Sequence, residues 1–418
     1  MRKLLLPVSV ALLAGCLSVV GPKEDDFIRV QGPDLVDGRG EVFRIRGVNL
    51  GNWLLPEGYM FGFGTCNSAH FIDEMFRQLV GVEATRAFWR AFKDSYVTEA
   101  DIARLASLGI NTVRVPFSYK LFTDEDYMDL TGPGDGFRRF DDVIGWCRRY
   151  GLKVILDMHA CPGGNTGDNI DDSYAYPQLF ESEAAQTQYA EIWRRIAARY
   201  ADEPTVLGYD LMNEPIAHHY ANADDLNLRL EAVQFKAIDA IREVDRRHVV
   251  ILAGGQWNTN FYMYRDFEKD PNMMYTCHCY QFGQPAFDDA PLVKFAAFRD
   301  KVNRPMYMGE TGHNVPAWCV AIVKSMNEKN IGWTFWPYKM PGHGGWFNFS
   351  FPEGWKEMVS AFADADRSSY AKIREHRPDR ATARRLMDAF LTNCRCENAA
   401  ADVDYLKALG LIPCEIRK

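Results

Sequence analysis

The chain of 418 residues lacks several patterns that would place it in common functional classes. It has 48 basic and 56 acidic residues, so it lacks the positive excess that nucleic-acid binding requires. The pairs Cys277/Cys279 and Cys394/Cys396 lack the wider spacing of a zinc ribbon. No Gly-x-Gly-x-x-Gly turn follows the first predicted strand, as a dinucleotide-binding sheet would require. These absences argue against nucleic acid, structural zinc and dinucleotides as partners.

The N-terminus has the pattern of an export signal. Arg2 and Lys3 precede an apolar segment, residues 4–13, which is too short to span a membrane as a helix. The sequence Leu-Ala-Gly-Cys at 13–16 resembles the bacterial lipobox, in which the cysteine is lipidated and becomes the new first residue. An ordinary secretory signal is the alternative. We therefore expect lipidation of Cys16 and anchoring in the bacterial cell envelope, at the outer membrane or facing the periplasm.

The rest of the chain is expected to form one domain. We predict a signal peptide at 1–16, a polar tether at 17–26 and a folded domain at 27–418. With 47% hydrophobic and 13% aromatic residues, the chain can bury a large core. Without Cys16, the 10 cysteines leave an odd number, so at least one is unpaired. We expect most to be small buried residues, and a disulfide among the tail cysteines stays open.

Apolar segments alternate with helical patterns along the chain. The predicted strands are residues 43–49, 112–116, 153–159, 206–213, 249–254, 273–280, 305–310 and 332–337. Strands that are covered on both faces lose the alternation of half-exposed sheets, so these runs predict a parallel sheet inside a layer of helices. The predicted fold is α/β, a single (β/α)8 barrel. An open doubly wound sheet is the alternative, and the count of eight argues against it.

Helices and long loops complete this prediction. Apolar residues within 189–200 recur at helical spacing and form one buried stripe. A second helix at 99–108 ends before Gly109, which can adopt the left-handed cap conformation. The longest loops follow the first and third strands, on the rim where loops shape a binding cleft. A short helical tail is predicted at the C-terminus, with helices at 382–391 and near 405–409.

Two predicted strands end in a carboxylate. The run at 206–213 leads into Glu214 and Pro215, and the run at 305–310 ends in Glu310. A buried carboxylate costs free energy unless charges or hydrogen bonds compensate it, so two such positions indicate a function. The alternative is that each glutamate is a salt-bridged strand end. The C-terminal rim of a parallel barrel is where active sites lie, which favours the functional interpretation.

Other polar and aromatic residues lie at the ends of the predicted strands. They are Arg114, His159, Asn213, His278, Tyr280 and Trp336. Because parallel strands end at one rim, these side chains are expected to converge on one pocket. A single histidine or tryptophan in such a place is more often structural, and their joint occurrence predicts an active site.

The order of these segments resembles that of the family 5 glycoside hydrolases, a barrel clan that cleaves β-glycosidic bonds. The matching segments are residues 46–53, 109–116, 156–159, 213–215, 278–280, 309–310 and 332–336. The resemblance implies a retaining β-glycoside hydrolase that acts on a β-linked glucan or a related oligosaccharide. It also implies that no cofactor or metal is needed. We expect a monomer with a β-linked oligo- or polysaccharide as its partner.

The resemblance assigns roles to the two glutamates. Glu214 would be the general acid/base, and burial together with the charge of Glu310 is expected to raise its pKa. Glu310 would be the nucleophile, kept ionised by Arg114 and the hydroxyl of Tyr280. Attack by Glu310 would give a covalent glycosyl-enzyme, and water activated by Glu214 would then release the sugar with retained configuration.

The remaining residues would position the substrate. By the same resemblance, Asn213 would hydrogen-bond the 2-hydroxyl of the sugar, and His159 and His278 would position sugar hydroxyls and the acid/base. Trp336 would offer a flat apolar face to the reacting ring.

Residues 53–57, 159–163 and 167–169 resemble the exo-β-1,3-glucanase branch of the family, whereas the rest of the third-strand loop does not follow it closely. In that branch a glutamate at the position of Glu57 helps to grip the terminal sugar. Further predicted substrate contacts are Asn165, Asp168 and Trp257, while Trp346 and Phe349 suit either an outer subsite or the core. Residues 61–66 depart from this branch, so the linkage and the exo or endo mode stay open. A β-mannan-active member of the family is a further alternative.

Two other classes of protein are alternatives to this hydrolase. A metal-dependent barrel hydrolase could use His159, His278 and His313, but the first strand lacks a His-x-His pair. A noncatalytic glycan-binding surface lipoprotein would be expected to have lost one carboxylate, and both Glu214 and Glu310 are present.

Overall fold

The computed structural model describes residues 26–412 except 130, 131, 133 and 285. The predicted signal peptide with Cys16 lies outside the described residues, as does most of the predicted tether. No helix in the described part of the chain is both long and apolar enough to cross a membrane.

Eight parallel strands close into a barrel, as the sequence predicts. The strands of the chain are β1 (Arg29–Gln31), β2 (Asp34–Val36), β3 (Arg46–Asn49), β4 (Thr112–Ser118), β5 (Lys153–Ala160), β6 (Val206–Asp210), β7 (Val249–Ala253), β8 (Met273–Cys279), β9 (Met306–Thr311), β10 (Gly332–Phe335), β11 (Lys339–Pro341), β12 (Phe347–Phe349) and β13 (Ala400–Ala401). The barrel runs in chain order from β3 to β10, and β10 pairs with β3 to close it.

Helices surround the barrel and extend into the tail. They are α1 (Ala69–Val80), α2 (Val82–Ser95), α3 (Glu99–Ser107), α4 (Gly134–Tyr150), α5 (Glu183–Tyr200), α6 (Ala223–Arg242), α7 (Gly255–Asn258), α8 (Ala290–Val302), α9 (Pro316–Glu328), α10 (Ala361–Ala363), α11 (Tyr370–His376), α12 (Arg380–Asn393) and α13 (Val403–Ala408). Local sequence explains where α3 begins and ends. A capping box of Thr98 and Asp101 precedes its first turn, and Gly109 follows its last turn with a left-handed φ of 75.

The fourth barrel strand is shorter than predicted. Strand β6 ends at Asp210, although Leu211 and Asn213 still donate backbone hydrogen bonds to Ile251 and Met158. The chain then turns sharply, and Glu214 adopts a left-handed φ of 43. Glu214 therefore lies on the loop that follows the strand and does not end the strand itself.

Two small sheets were not predicted, because strands of two or three residues leave no periodic signal. Strands β1 and β2 form a hairpin across the N-terminal end of the barrel, where Ile28 and Leu35 pack on Ile45 and Leu207. Strands β11, β12 and β13 join the loop after β10 to the C-terminal tail.

The long loop after β3 is folded and carries its own aromatic core. Phe61 stacks on Phe390 of α12 at 5.2 Å and contacts Trp89 of α2 at 6.1 Å. Trp346 and Phe349 are also buried, with 0% and 3% exposure, and pack in the core. Neither lines the cleft described below, so the alternative of an outer sugar subsite at these two residues is wrong.

Candidate active site

A cavity of about 760 Å³ opens at the C-terminal rim of the barrel. Its wall includes the residues predicted from strand ends and loops: Glu57, His159, Asp168, Glu214, Trp257, His278, Tyr280, Glu310 and Trp336. It also includes residues that the sequence did not single out for this pocket: Tyr59, Asn169, Ile170, His218, Thr259, Phe282, His313, Met340 and His343. Most of the second group lie on loops, where no periodic pattern marks a side chain as facing the cleft.

Glu310, at the end of β9, is held by one cation and one hydroxyl. Arg114 Nη1 donates to Glu310 Oε1 at 2.7 Å, and Tyr280 Oη donates to Oε2 at 3.0 Å. Both contacts favour an ionised carboxylate. Both were expected from the sequence.

Arg114 is the fully buried centre of the polar cluster under the cavity. It donates hydrogen bonds to Asn49, Asp210, Asn213 and Glu310, and its Nη2 also lies 3.0 Å from Asp157 Oδ1. One guanidinium thus faces three carboxylates. Burial raises the pKa of Asp157 and of Asp210 to about 7, although Arg114 opposes the shift in both.

Glu214 faces Glu310 across the cavity. Oxygen atoms of the two carboxyl groups and Nδ1 of His278 all lie within 4.8 Å of one another, and His278 Nδ1 is 2.7 Å from Glu214 Oε1. Burial raises the pKa of Glu214 to about 7, and the negative charge of Asp168 adds to this rise. Asp168 is thus a source of this rise that was not expected, and the contribution expected from Glu310 stays a prediction.

Asn213 and His159 have one consistent hydrogen-bond arrangement. Arg114 only donates, so the Asn213 amide oxygen must face it, at 2.9 Å. The Asn213 NH₂ group then faces His159 Nε2 at 3.0 Å, which must accept, leaving the proton on Nδ1 for Asp157 at 2.7 Å. Burial lowers the pKa of His159 to about 4, in agreement with a neutral ring. Asn213 itself is fully buried and is not among the residues that line the cavity.

Trp336 forms a flat wall beside this cluster. Its indole N–H donates to Tyr59 Oη at 2.6 Å, and its ring lies nearly parallel to His159 at 5.5 Å. Gly51 passes so close that a Cβ there would be 2.7 Å from the Trp336 ring. The position of Trp336 therefore depends on the absence of a side chain at residue 51.

The predicted outer contacts divide into two groups. Glu57, Asp168 and Trp257 line the cavity, and burial, followed by the charges of Glu310 and Glu214, raises the pKa of Glu57 well above its ordinary value. Asn165 does not line the cavity. Its amide oxygen accepts from the Cys161 N–H at 2.9 Å and its NH₂ group donates to backbone carbonyls, so it supports the loop instead.

One group among the described residues has the geometry to hold a metal ion, namely Glu214, His278 and Glu310. Burial lowers the pKa of His278 to about 3, so its ring is neutral. Hydrogen bonds from His278, Arg114 and Tyr280 already account for the orientation of the two carboxyl groups.

The chain is similar to known carbohydrate-active proteins. The family model for cellulase (glycosyl hydrolase family 5) matches residues 71–341. A beta-xylosidase of Phanerodontia chrysosporium is 32% identical over 281 residues, which cover 66% of this chain and 57% of that protein. Endoglucanase C of Acetivibrio thermocellus is 29% identical over 174 residues, covering 42% of this chain and 47% of that protein. The chain thus spans about half the length of the curated relatives that it matches.

Among solved structures, a beta-glucanase of Saccharophagus degradans superposes with a TM-score of 0.52 at 18% identity. The match covers 90% of this chain and 97% of that one, and at this identity it supports the barrel fold alone. The family model extends over more than half of the residues and spans β4 to β11. The chain belongs to glycosyl hydrolase family 5.

Proposed function

We propose that this protein is a retaining β-glycoside hydrolase that acts on a β-linked glucan or a related oligosaccharide. The observation that carries the proposal is the pair of carboxyl groups, Glu214 and Glu310, with oxygen atoms within 4.8 Å of each other in one cavity. Retaining enzymes place these groups about 5 to 5.5 Å apart, whereas inverting enzymes need about 6.5 to 9.5 Å to admit a water molecule.

The first chemical step would form a covalent bond to the enzyme. An oxygen of Glu310 attacks the anomeric carbon while the bond from that carbon to the leaving oxygen breaks. Glu214 gives its proton to the leaving oxygen, which departs as a hydroxyl group. A pKa of about 7 suits this role, because Glu214 then holds a proton at neutral pH and releases it readily.

The second step would return both groups to their starting state. Glu214, now a carboxylate, takes a proton from a water molecule whose oxygen attacks the anomeric carbon. The bond to Glu310 breaks, and its electron pair returns to the carboxylate beside Arg114. Two inversions at one carbon retain the β configuration.

The other side chains would bind the reacting sugar. By the family resemblance, Asn213 would reach the 2-hydroxyl with the second proton of its NH₂ group, and the Trp336 ring, which lines the cavity, suits an apolar sugar face. Glu57 lies in the cavity wall with 4% exposure, and a neutral carboxyl there can both donate to and accept from sugar hydroxyls.

The stereochemistry of the product tests the proposal. We expect proton NMR of an aryl β-glycoside digest to show the β-anomer first, before mutarotation produces the α-anomer. An α-anomer that appears first would contradict a double displacement. Absence of turnover on every β-glycoside, together with measurable glycan binding, would support a noncatalytic glycan-binding protein instead. Loss of activity on chelation would indicate a metal-dependent reaction.

The preferred glycan is a separate part of the proposal. The similar curated proteins carry the names beta-xylosidase and endoglucanase C, so β-linked glycans, glucans among them, are the first substrates to test. The purified domain would be screened on β-1,3-, β-1,4- and mixed-linkage glucans, mannan and aryl β-glycosides, with product lengths recorded. Release of single sugars from one end would indicate an exo mode, and a ladder of products an endo mode.

We also propose that the protein is anchored to the cell envelope through a lipid on Cys16. This rests on the lipobox-like sequence at 13–16, which lies outside the described residues. A Cys16→Ser variant should move from the membrane fraction to the soluble fraction of cells. Unchanged membrane fractionation would remove the proposal.

A further inference from the structure

A second cavity, of about 650 Å³, adjoins the active-site cavity. His313 and His343 line both cavities, and the adjacent residues Phe282 and Gly283 line one each. The far wall comes from the C-terminal tail, through Asp402 and Tyr405 at the start of α13. The two cavities therefore share a wall that the sequence did not identify as functional.

His313 is the most unusual side chain on the shared wall. Its backbone is left-handed, with φ 50, and its ring lies 5.9 Å from Tyr59, 6.3 Å from Tyr280 and 6.5 Å from Phe282. Its Nε2 atom is buried and has no hydrogen-bond partner among the described residues. Such an atom costs free energy in the free protein, and a ligand hydroxyl would remove that cost.

The chemistry of this wall indicates a neutral ligand. Burial, with a contribution from His343, lowers the pKa of His313 to about 4, so the ring is uncharged at neutral pH. A neutral imidazole has one donor and one acceptor, which suits a hydroxyl group better than an anion. The rings of Tyr59, Tyr280 and Phe282 beside His313 line the active-site cavity, and Tyr405 is the aromatic residue on the far wall of the second cavity.

We propose that the second cavity is an additional sugar-binding subsite, which takes a neutral sugar unit joined to the one that reacts between Glu214 and Glu310. His313 would hydrogen-bond a hydroxyl of this unit, and His343 would close the wall beside it. The proposal rests on the proposed function, because it defines the second unit by its linkage to the reacting sugar.

The test compares a substrate that reaches the second cavity with one that does not. For His313→Ala and His343→Ala, we expect the ratio of kcat/KM on an oligosaccharide to kcat/KM on an aryl monoglycoside to fall about tenfold, the effect of one lost hydrogen bond. Asp404→Asn, on an exposed side chain of the same short helix, should keep the ratio of the unmodified protein.

An unchanged ratio in both histidine variants would overturn the subsite. His343 is exposed, so its variant keeps the test valid if His313→Ala fails to fold. Failure of the unmodified protein to cleave either substrate would instead count against the proposed function. In that case calorimetric titration of the oligosaccharide into the unmodified protein and into His343→Ala decides the subsite: equal affinities would overturn it.

A different observation concerns the carboxyl pair beneath the cavity. Asp157 and Asp210 are direct neighbours on β5 and β6, and both are fully buried. Asp157 Oδ2 contacts His159, and Asp210 Oδ2 accepts from Arg114 and from Tyr307 at 2.9 Å. Asp210 Oδ1 is buried and has no hydrogen-bond partner among the described residues, whereas Asp157 Oδ1 lies 3.0 Å from Arg114 Nη2 without hydrogen-bond geometry.

The charges around this pair do not balance if every carboxyl group is ionised. Arg114, His159 and Tyr307 contact the pair directly, and the negative charge of Glu214 also acts on Asp157. Asn49, Asn213 and Glu310 contact Arg114 and not the pair itself. Arg114 supplies the one positive charge in this set, because His159 is neutral. Like charges held together in a buried site favour uptake of a proton by one of them.

We infer that Asp157 and Asp210 share a single proton at neutral pH. The pair then carries one negative charge, which cancels that of Arg114 and leaves Glu310 as the charged group of the cluster. The group formed by Arg114 and the two aspartates would then have no net charge. Arg114 would still favour the ionised form of Glu310, but it would not bind Glu310 so strongly that attack of Glu310 on the sugar is suppressed. Asp157 and Asp210 are therefore positioning residues, since they act through Arg114 and His159.

Infrared difference spectroscopy tests this directly and does not depend on activity. The unmodified protein at neutral pH should show a protonated-carboxyl band that is lost in Asp157→Asn and also in Asp210→Asn, because the remaining aspartate then stays ionised. Persistence of the full band in both variants would overturn the shared proton. Thermal unfolding verifies that each variant is folded, and if one is not, loss or persistence of the band in the other decides the question.

Discussion

At the scale of single residues, two identical side chains receive opposite environments. Glu214 is largely buried beside a neutral histidine and near the charge of Asp168, so its protonated form is favoured. Glu310 contacts the guanidinium of Arg114, which favours its ionised form. The different roles of acid and nucleophile thus follow from the burial of Glu214 and from the guanidinium 2.7 Å from Glu310, and not from residue type.

Removal of the nucleophile gives the first prediction. Glu310→Gln should lower kcat by several orders of magnitude, because an amide cannot form the glycosyl bond. The far-ultraviolet circular dichroism spectrum should stay that of the unmodified protein. Glu328→Gln, an exposed change on α9, is the matched control and should keep full activity. Near-full activity of Glu310→Gln would place the nucleophile elsewhere.

Glu214→Ala should be rescued in part by azide or by substrates with an activated leaving group. Only proton transfer is lost, and such substrates need little or no protonation. The measurement is kcat with and without azide on a nitrophenyl glycoside and on an oligosaccharide. Absence of both kinds of rescue would argue against the acid/base role.

The pKa of Glu214 predicts how activity depends on pH. Because the acid must be protonated, kcat/KM should fall as the pH rises through about 7. Asp168→Asn removes the charge that helps to raise this pKa, so the fall should begin at a lower pH. Asp225→Asn, an exposed change on α6, should leave the profile in place. Coincident profiles for Asp168→Asn and the unmodified protein would contradict this account.

The same pKa predicts a change in stability. The pKa of Glu214 is raised on folding, so its contribution to the free energy of unfolding is full below about 4.5 and is lost as the pH rises through about 7. Glu214→Gln should therefore raise Tm at pH 8 relative to pH 5, compared with the unmodified protein. The change in the free energy of unfolding between these pH values should be a few kcal/mol, on the order of 1.4 kcal/mol for each unit by which the pKa is raised. An equal Tm difference at both pH values would count against the raised pKa.

At the scale of elements, the strands could be predicted because buried strands leave continuous apolar runs. Loops carry no such signal, so Tyr59, His218, His313 and His343 were not assigned to the pocket. For the same reason Asn165 was wrongly assigned to the cavity. Its side chain bonds the backbone of its own loop, whereas Asn169, four residues later, lines the cavity. The predicted strand also ran past the end of β6 at Asp210, into a segment that leads to left-handed backbone at Glu214 and Ile216.

Gly51, in the loop after β3, should control the position of the Trp336 ring, the proposed contact surface for the sugar. Gly51→Ala would place a Cβ 2.7 Å from the Trp336 ring, and the ring must then move away from His159. We expect kcat/KM to fall about tenfold to a hundredfold, as a displacement of about 1 Å does in well-positioned sites. Gly145→Ala in α4 meets no atom within 4 Å and is the matched control. Equal activity of both variants would mean that catalysis does not depend on the position of the Trp336 ring.

At the scale of the whole molecule, barrel closure brings distant parts of the sequence to one rim. Asn213 and Glu310 lie 99 and 196 positions after Arg114 in the sequence. Arg114 nevertheless donates hydrogen bonds to both, at 2.9 Å to Asn213 and 2.7 Å to Glu310. The sequence could predict this convergence because parallel strands must end together. The role of the tail could not be predicted, since its contact with the second cavity depends on the short strands β11 to β13.

The most direct test of the central claim is to trap the covalent intermediate. A 2-fluoro β-glycoside with an activated leaving group slows both steps, and peptide mass spectrometry then locates the bound sugar. We predict one sugar per chain, attached to the peptide that contains Glu310, and no label in Glu310→Gln. Turnover of ordinary β-glycosides without any such label, or a label on another residue, would contradict the facing arrangement of Glu214 and Glu310 as the basis of catalysis.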